Sequence, residues 1–182
     1  MAMSVQLVYL GTAVAFAGIA AVHDLRTKKI PNWITGPGII LGVLLHLALG
    51  GFAQAGWSIL AGLIAGTLFF LFYVAGGMGA GDVKLITAIG CLVGIGSIKD
   101  VLLASVFLGS ICGLALAAKH GKVRQTVSNV MALLAHHTQN GLTPHPELNV
   151  TQPETLRLPY GLPIALACMI AFVLVLFPGG AQ

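Results

Sequence analysis

The chain has 182 residues, of which 57% are hydrophobic and 8% charged, and its nine Lys and Arg residues against five Asp and Glu give a net charge of +4. Soluble domains carry about one-quarter charged residues, so this composition, with a mean hydropathy of +0.96, excludes an ordinary water-soluble domain and points to an integral membrane protein. Cys91, Cys112 and Cys168 lie scattered in apolar segments without paired spacing; they read as small buried hydrophobes rather than a disulfide framework or a zinc site.

A membrane-spanning helix needs about 20 predominantly apolar residues. Candidate spans fall at Val5–Val22, Trp33–Leu49, Trp57–Val74, Leu85–Ile98, Val101–Ala118 and Pro159–Phe177, the fourth being the shortest. Lipid offers no partner for free backbone groups, so each is expected to be helical. The fold class is therefore an all-α polytopic bundle of about six transmembrane helices. The first run has no basic stretch before it and is followed by charge, so it reads as a retained helix rather than a signal peptide.

The first span ends in His23-Asp24-Leu25-Arg26-Thr27-Lys28-Lys29-Ile30-Pro31-Asn32. Arg26, Lys28 and Lys29 suit lipid-headgroup anchoring. Asp24 does not: an acid is costly near the hydrocarbon edge and contributes little to topology, so it implies a partner or a reaction. Pro31 fixes its own φ and restrains Ile30, giving a rigid turn into the second span. His46, inside that span, is expected to be hydrogen-bonded within the bundle.

Spans two to five carry Gly38-x-x-x-Gly42, Gly62-x-x-x-Gly66, Gly90-x-x-x-Gly94 and Gly109-x-x-x-Gly113. Small residues four apart let helix backbones approach closely. Spread over several helices, the pattern favours internal packing, although one such face could also form a homo-oligomer contact. Between spans three and four lies Gly76-Gly77-Met78-Gly79-Ala80-Gly81-Asp82-Val83-Lys84, whose glycines demand a sharp bend or a close backbone approach. Its simple structural reading is a connector in which Asp82 caps the next helix; its functional reading pairs Asp82 with Asp24. Lys84, two residues past Asp82, reads as a lipid anchor, the alternative being a cation that biases the acid's pKa.

After span five the chain turns polar. Val123, Val127, Val130, Met131 and Leu134 recur at helical spacing opposite Lys122, Arg124, Gln125, Ser128 and Asn129, which predicts an amphipathic helix on the membrane surface, ending at His136 and His137. Residues 138 to 156, with Pro144, Pro146 and Pro153, read as an irregular loop. The last span opens with Leu158-Pro159-Tyr160-Gly161-Leu162-Pro163, which is either a plain helix start or a stiff turn lining a site. Eight of the nine basic residues fall on one side of this six-span layout and only Lys99 on the other, so that side is cytoplasmic, both chain ends face away from it, and Asp24 and Asp82 share it.

Asp24 followed by Ile30-Pro31-Asn32, the Gly79-Ala80-Gly81-Asp82-Val83-Lys84 run and the late Pro159-Tyr160-Gly161-x-Pro163 turn resemble the type IV prepilin peptidases, membrane aspartyl proteases of the GxGD type. The resemblance covers nearly the whole chain. It implies that Asp24 and Asp82 are the catalytic pair, with Gly79, Gly81, Lys84, Pro31, Asn32, Pro159, Tyr160 and Gly161 lining or supporting the site. It also implies a bacterial inner-membrane location, no cofactor or metal, no nucleic-acid partner, and a substrate that is a pilin-like precursor cut at the cytoplasmic edge just after a glycine. Longer members carry an N-terminal cytoplasmic region with paired cysteines and also N-methylate the new amino terminus. Without such cysteines, residues 1–182 resemble the short peptidase-only form of Flp/Tad pilus systems, a single membrane domain with residues 119–157 on its cytoplasmic side.

The chemistry agrees with the residue types. Peptide hydrolysis by two carboxylates needs one ionised and one protonated, and two acids close together in a poorly solvated site hold one proton between them. A His-Glu-x-x-His metal motif is absent from the sequence. The alternative of another class is a carrier or pilus-assembly scaffold with structural or proton-relaying acids, which would favour acids in mid-helix and repeated halves. A presenilin-like intramembrane protease would place its first acid after a tyrosine, where this chain has His23.

Overall fold

The computed structural model describes residues 3–141 and 158–177, and all the regular structure among them is helical: α1 (Met3–Thr27), α2 (Asn32–Val74), α3 (Ala80–Val93), α4 (Ile98–Lys119), α5 (Val123–Asn140) and α6 (Gly161–Leu176). Of these, α1, α2 and α4 are long and apolar enough to cross a membrane. α1 continues past the end of its apolar run and stops where Lys28 takes a left-handed conformation, φ 54°, with its N–H bonded to the Asp24 carbonyl at 2.7 Å. Pro31, in extended conformation, then starts α2.

α2 carries the second and third spans in one element that folds back at Gly51 (φ 75°, ψ −174°). In a straight helix, residues 42 and 62 would stand about 30 Å apart. Here a Cβ built on Gly42 would lie 2.6 Å from the Cys91 carbonyl carbon, and Gly62 abuts the Cys91 sulfur. The two limbs, 32–50 and 52–74, therefore flank α3 together.

α3 differs from its expected span, Leu85–Ile98. It begins at Ala80 and ends at Val93, because Gly94 (φ 70°) terminates it. Its 14 residues make a helix about 21 Å long, short of the roughly 30 Å hydrocarbon core. It is instead the bundle's central stave, with Leu85, Ile86, Ala88, Ile89 and Leu92 fully buried. Backbone contact makes this possible: a Cβ on Gly90 would come within 2.7 Å of the Ala61 carbonyl oxygen and 2.8 Å of the Gly62 Cα. The small-residue spacings thus serve internal packing across α2 and α3, whereas Gly113 faces open space.

The remaining packing sets α6 between α1 and α4, and joins α3 to α1. The two ends of the bundle differ in chemistry. At one end the Gln6 amide donates to the Ser97 hydroxyl at 3.1 Å, and His46, stacked on Tyr9 with ring centroids 3.7 Å apart, lies against Gly94. The His46 Nδ1–H donates to the Gly42 carbonyl at 2.9 Å, as expected for a histidine satisfied inside the bundle. The other end holds Asp24, Asp82 and the start of α6.

Outward faces are apolar, with Ile40, Leu63, Leu103 and Phe107 exposed, the arrangement expected where lipid rather than water is the solvent. α5 packs chiefly on α4, and Val123, Val127, Val130 and Met131 on it are exposed. It runs on to Asn140, past His136 and His137, so residues 138–140, assigned above to a loop, are helical. The three loop prolines lie outside the described residues.

Candidate active site

Asp24 sits in the last turn of α1 and is 4% exposed. Its Oδ2 accepts the Gly161 N–H at 3.0 Å. Gly161 is the first residue of α6, where backbone N–H groups have no partner within the helix. The carboxylate therefore occupies the positive end of α6, a favourable place for an anion. Glycine eases the approach: a Cβ there would stand 3.1 Å from both Asp24 Oδ2 and the Ala21 Cα, tighter than ordinary contact.

Asp82 is the third residue of α3 and is 8% exposed. Its Oδ2 accepts the Gly79 N–H at 3.2 Å, closing the first turn of its own helix. The capping role expected of a connector acid is thus partly present, except that Gly79 is the N-cap residue and Asp82 reaches back to it from inside the helix. Asp24 and Asp82 are the buried acids among the described residues; Asp100 is exposed.

Three contacts gather the supporting residues around this pair. A Cβ on Gly81 would lie 3.2 Å from the Ile30 Cβ and 3.3 Å from the Ile30 carbonyl oxygen, so the Ile30-Pro31-Asn32 turn rests on the first turn of α3. Lys84 Nζ donates to Asn32 Oδ1 at 2.9 Å. The ammonium of Lys84, read above as a lipid anchor, ties the start of α2 to the start of α3. The third contact is made by Tyr160, the residue before Gly161, whose ring meets Phe69 edge-on at 5.9 Å.

The structure brings Asp24, Asp82, Gly79, Gly81, Pro31, Asn32, Lys84, Tyr160 and Gly161 to one end of the bundle. Pro159 joins them through its carbonyl, which accepts the Leu162 N–H at 3.4 Å and opens α6. Sequence reasoning missed three neighbours. The His23 Nδ1 lies 2.9 Å from the Lys29 carbonyl oxygen, and its ring meets Trp33 edge-on at 5.8 Å, which orders the α1–α2 turn. Phe69 and Gly109 contact Tyr160; of these only Gly109 left a sequence signal, as part of a small-residue pair. Cys112, read as a buried hydrophobe, is only partly buried. Among the described residues no group of three or more His, Cys, Asp or Glu side chains is gathered as a metal site.

Residues 12–117 match the model of the type IV leader peptidase family, a stretch that includes both buried aspartates. The chain belongs to that family. It is similar to the prepilin leader peptidase/N-methyltransferase of Aeromonas hydrophila, 36% identical over 101 residues covering 51% of this chain and 34% of the relative. It is also similar to the protein of that description from Neisseria gonorrhoeae, 32% identical over 108 residues covering 54% of this chain and 37% of the relative. The matched stretch thus spans about a third of these relatives' length. No solved structure gives a significant match. The family match ends before α6, so the place of Tyr160 and Gly161 in the site rests on the fold.

Proposed function

We propose that this member of the leader peptidase family hydrolyses one peptide bond in pilin-like precursors, just after a glycine, with Asp24 and Asp82 as its catalytic pair. The observation that carries the reading is that two acids from different helices, both buried, lie at one end of the bundle. Asp24 bonds the first residue of α6, and α3, which carries Asp82 in its first turn, packs against both α1 and α6. Burying two carboxylates in an apolar bundle costs free energy that structure alone does not require.

In the reaction, one carboxylate takes a proton from a water molecule as its oxygen attacks the scissile carbonyl carbon. The other, protonated, donates to the carbonyl oxygen. Collapse of the tetrahedral intermediate breaks the C–N bond, and the proton gained from water passes to the departing amine. The products are a leader ending in a carboxylate and a shortened chain with a free amine. The assignment of base and acid belongs to the pair rather than to either residue.

The basic residues Arg26, Lys28, Lys29, Lys84, Lys119, Lys122 and Arg124 lie toward the aspartate end of the helices. That asymmetry supports a cytoplasmic site in the bacterial inner membrane. It also supports α5 lying on the lipid surface, its exposed valines and Met131 facing the acyl chains. The test is co-expression with candidate pilin-like precursors, followed by mass spectrometry for leader loss. Cleavage by the wild type that disappears in Asp24→Asn and in Asp82→Asn supports the reading. Cleavage that persists in either well-folded variant overturns it.

A further inference from the structure

Resting on that reading, we propose that Tyr160 is a positioning residue for the aspartate pair, clamped between Phe69 of α2 and Gly109 of α4 so that the start of α6 holds its Gly161 N–H against Asp24. The clamp has two jaws. On one side the Tyr160 ring meets Phe69 edge-on at 5.9 Å and 81°, and Phe69 is fully buried, so that jaw is rigid. On the other side the phenol fills the space left by the missing side chain of Gly109. A Cβ there would overlap the Tyr160 hydroxyl oxygen and lie 2.6 Å from its Cζ.

α4 therefore reads the position of Tyr160 through a residue with no side chain. The backbone N–H that binds Asp24 is on the next residue of the same chain. Any tilt of Tyr160 moves that N–H relative to the carboxylate. Gly161 itself packs close to α1, since a Cβ built on it would lie 3.1 Å from the Ala21 Cα. α3, which carries Asp82, packs against α6 as well. The clamp gives the α4 helix, which carries neither aspartate, a means of setting their relation.

The experiment uses the full chain and a precursor that the wild type cleaves, measuring kcat and KM separately. Gly109→Ala drives the phenol from its slot and is expected to lower kcat about 10- to 100-fold, the scale of misplacing a reacting group by about 1 Å. Little change in KM is expected. Removing the hydroxyl relieves the closest overlap and leaves Cζ at 2.6 Å, so Tyr160→Phe in the Gly109→Ala background is expected to recover part of the lost kcat. Tyr160→Ala, which removes the ring that the two jaws hold, is expected to lose kcat as Gly109→Ala does. Thermal unfolding in detergent separates a displaced site from a collapsed bundle, and the double variant serves as the folded control should Gly109→Ala not accumulate. A Gly109→Ala enzyme with wild-type kcat, or a double variant no better than Gly109→Ala, overturns the clamp. Failure of the wild type itself to cleave, or full activity of Asp24→Asn, would instead overturn the peptidase reading.

Discussion

Replacing Asp24 by Asn and by Ala separates the chemical role of this acid from its structural one. In the wild type its Oδ2 receives the Gly161 N–H at 3.0 Å in a setting that is 4% exposed. A hydrogen bond to a charged group contributes about 1.5–3 kcal/mol and a neutral one about 0.5–1.5, so Asn, whose carbonyl can take the same N–H, gives up about 1 kcal/mol. Removal of a buried charge offsets part of that. The expected shift in Tm is then no more than about 2–4 °C. Ala leaves the N–H of a buried residue without an acceptor, at a cost of about 1–3 kcal/mol, so it should unfold at a lower temperature than Asn. Cleavage should fall at least about 1,000-fold in both, because residues acting as a unit fail together. The assay is precursor cleavage followed by mass spectrometry, beside thermal unfolding of the same preparations. An Asn variant that cleaves at a rate comparable to wild type refutes the catalytic assignment. An Ala variant as stable as Asn refutes the claim that Asp24 satisfies the start of α6.

The double variant Asp24→Asn/Asp82→Asn should be hardly slower than either single one, whereas multiplied losses in residual rate would show that the acids act separately. Gly90→Ala should destabilise the bundle by about 1–3 kcal/mol, since its methyl would meet the backbone of residues 61 and 62 rather than a movable side chain; unchanged thermal unfolding would count against α3 packing so closely on α2. Reporter fusions after Lys29, at Gly79 and near Pro146 should read cytoplasmic and one at Gly51 external, and agreement between Gly51 and Gly79 would contradict the reversal of α2. Hydrolysis should survive EDTA, and zinc-restored loss of activity would displace the two-aspartate mechanism.

The sequence by itself determined what depends on solvent and local chemistry. Fifty-seven per cent hydrophobic residues with so few charges dictate helices in lipid, because the backbone there can satisfy itself in few other ways. Two acids beside glycine and proline turns were visible as anomalies for the same reason: charge near hydrocarbon is expensive, so its presence is informative. Small residues four apart also announced close packing, which α2 and α3 provide. What the sequence did not determine were the relations between helices. Hydropathy windows see apolar length, so they placed the fourth span five residues late and could not register that Gly94 ends α3 or that most of α3 lies inside the bundle. Lys84 looked like any juxtamembrane cation until the fold set Asn32, fifty-two residues earlier, 2.9 Å away. Asp24 and Gly161 are separated by 137 residues, and nothing local to either names the other. Only packing α6 against α1 turns a backbone N–H into that acid's partner, and only the return of α4 leaves the gap at Gly109 that Tyr160 fills.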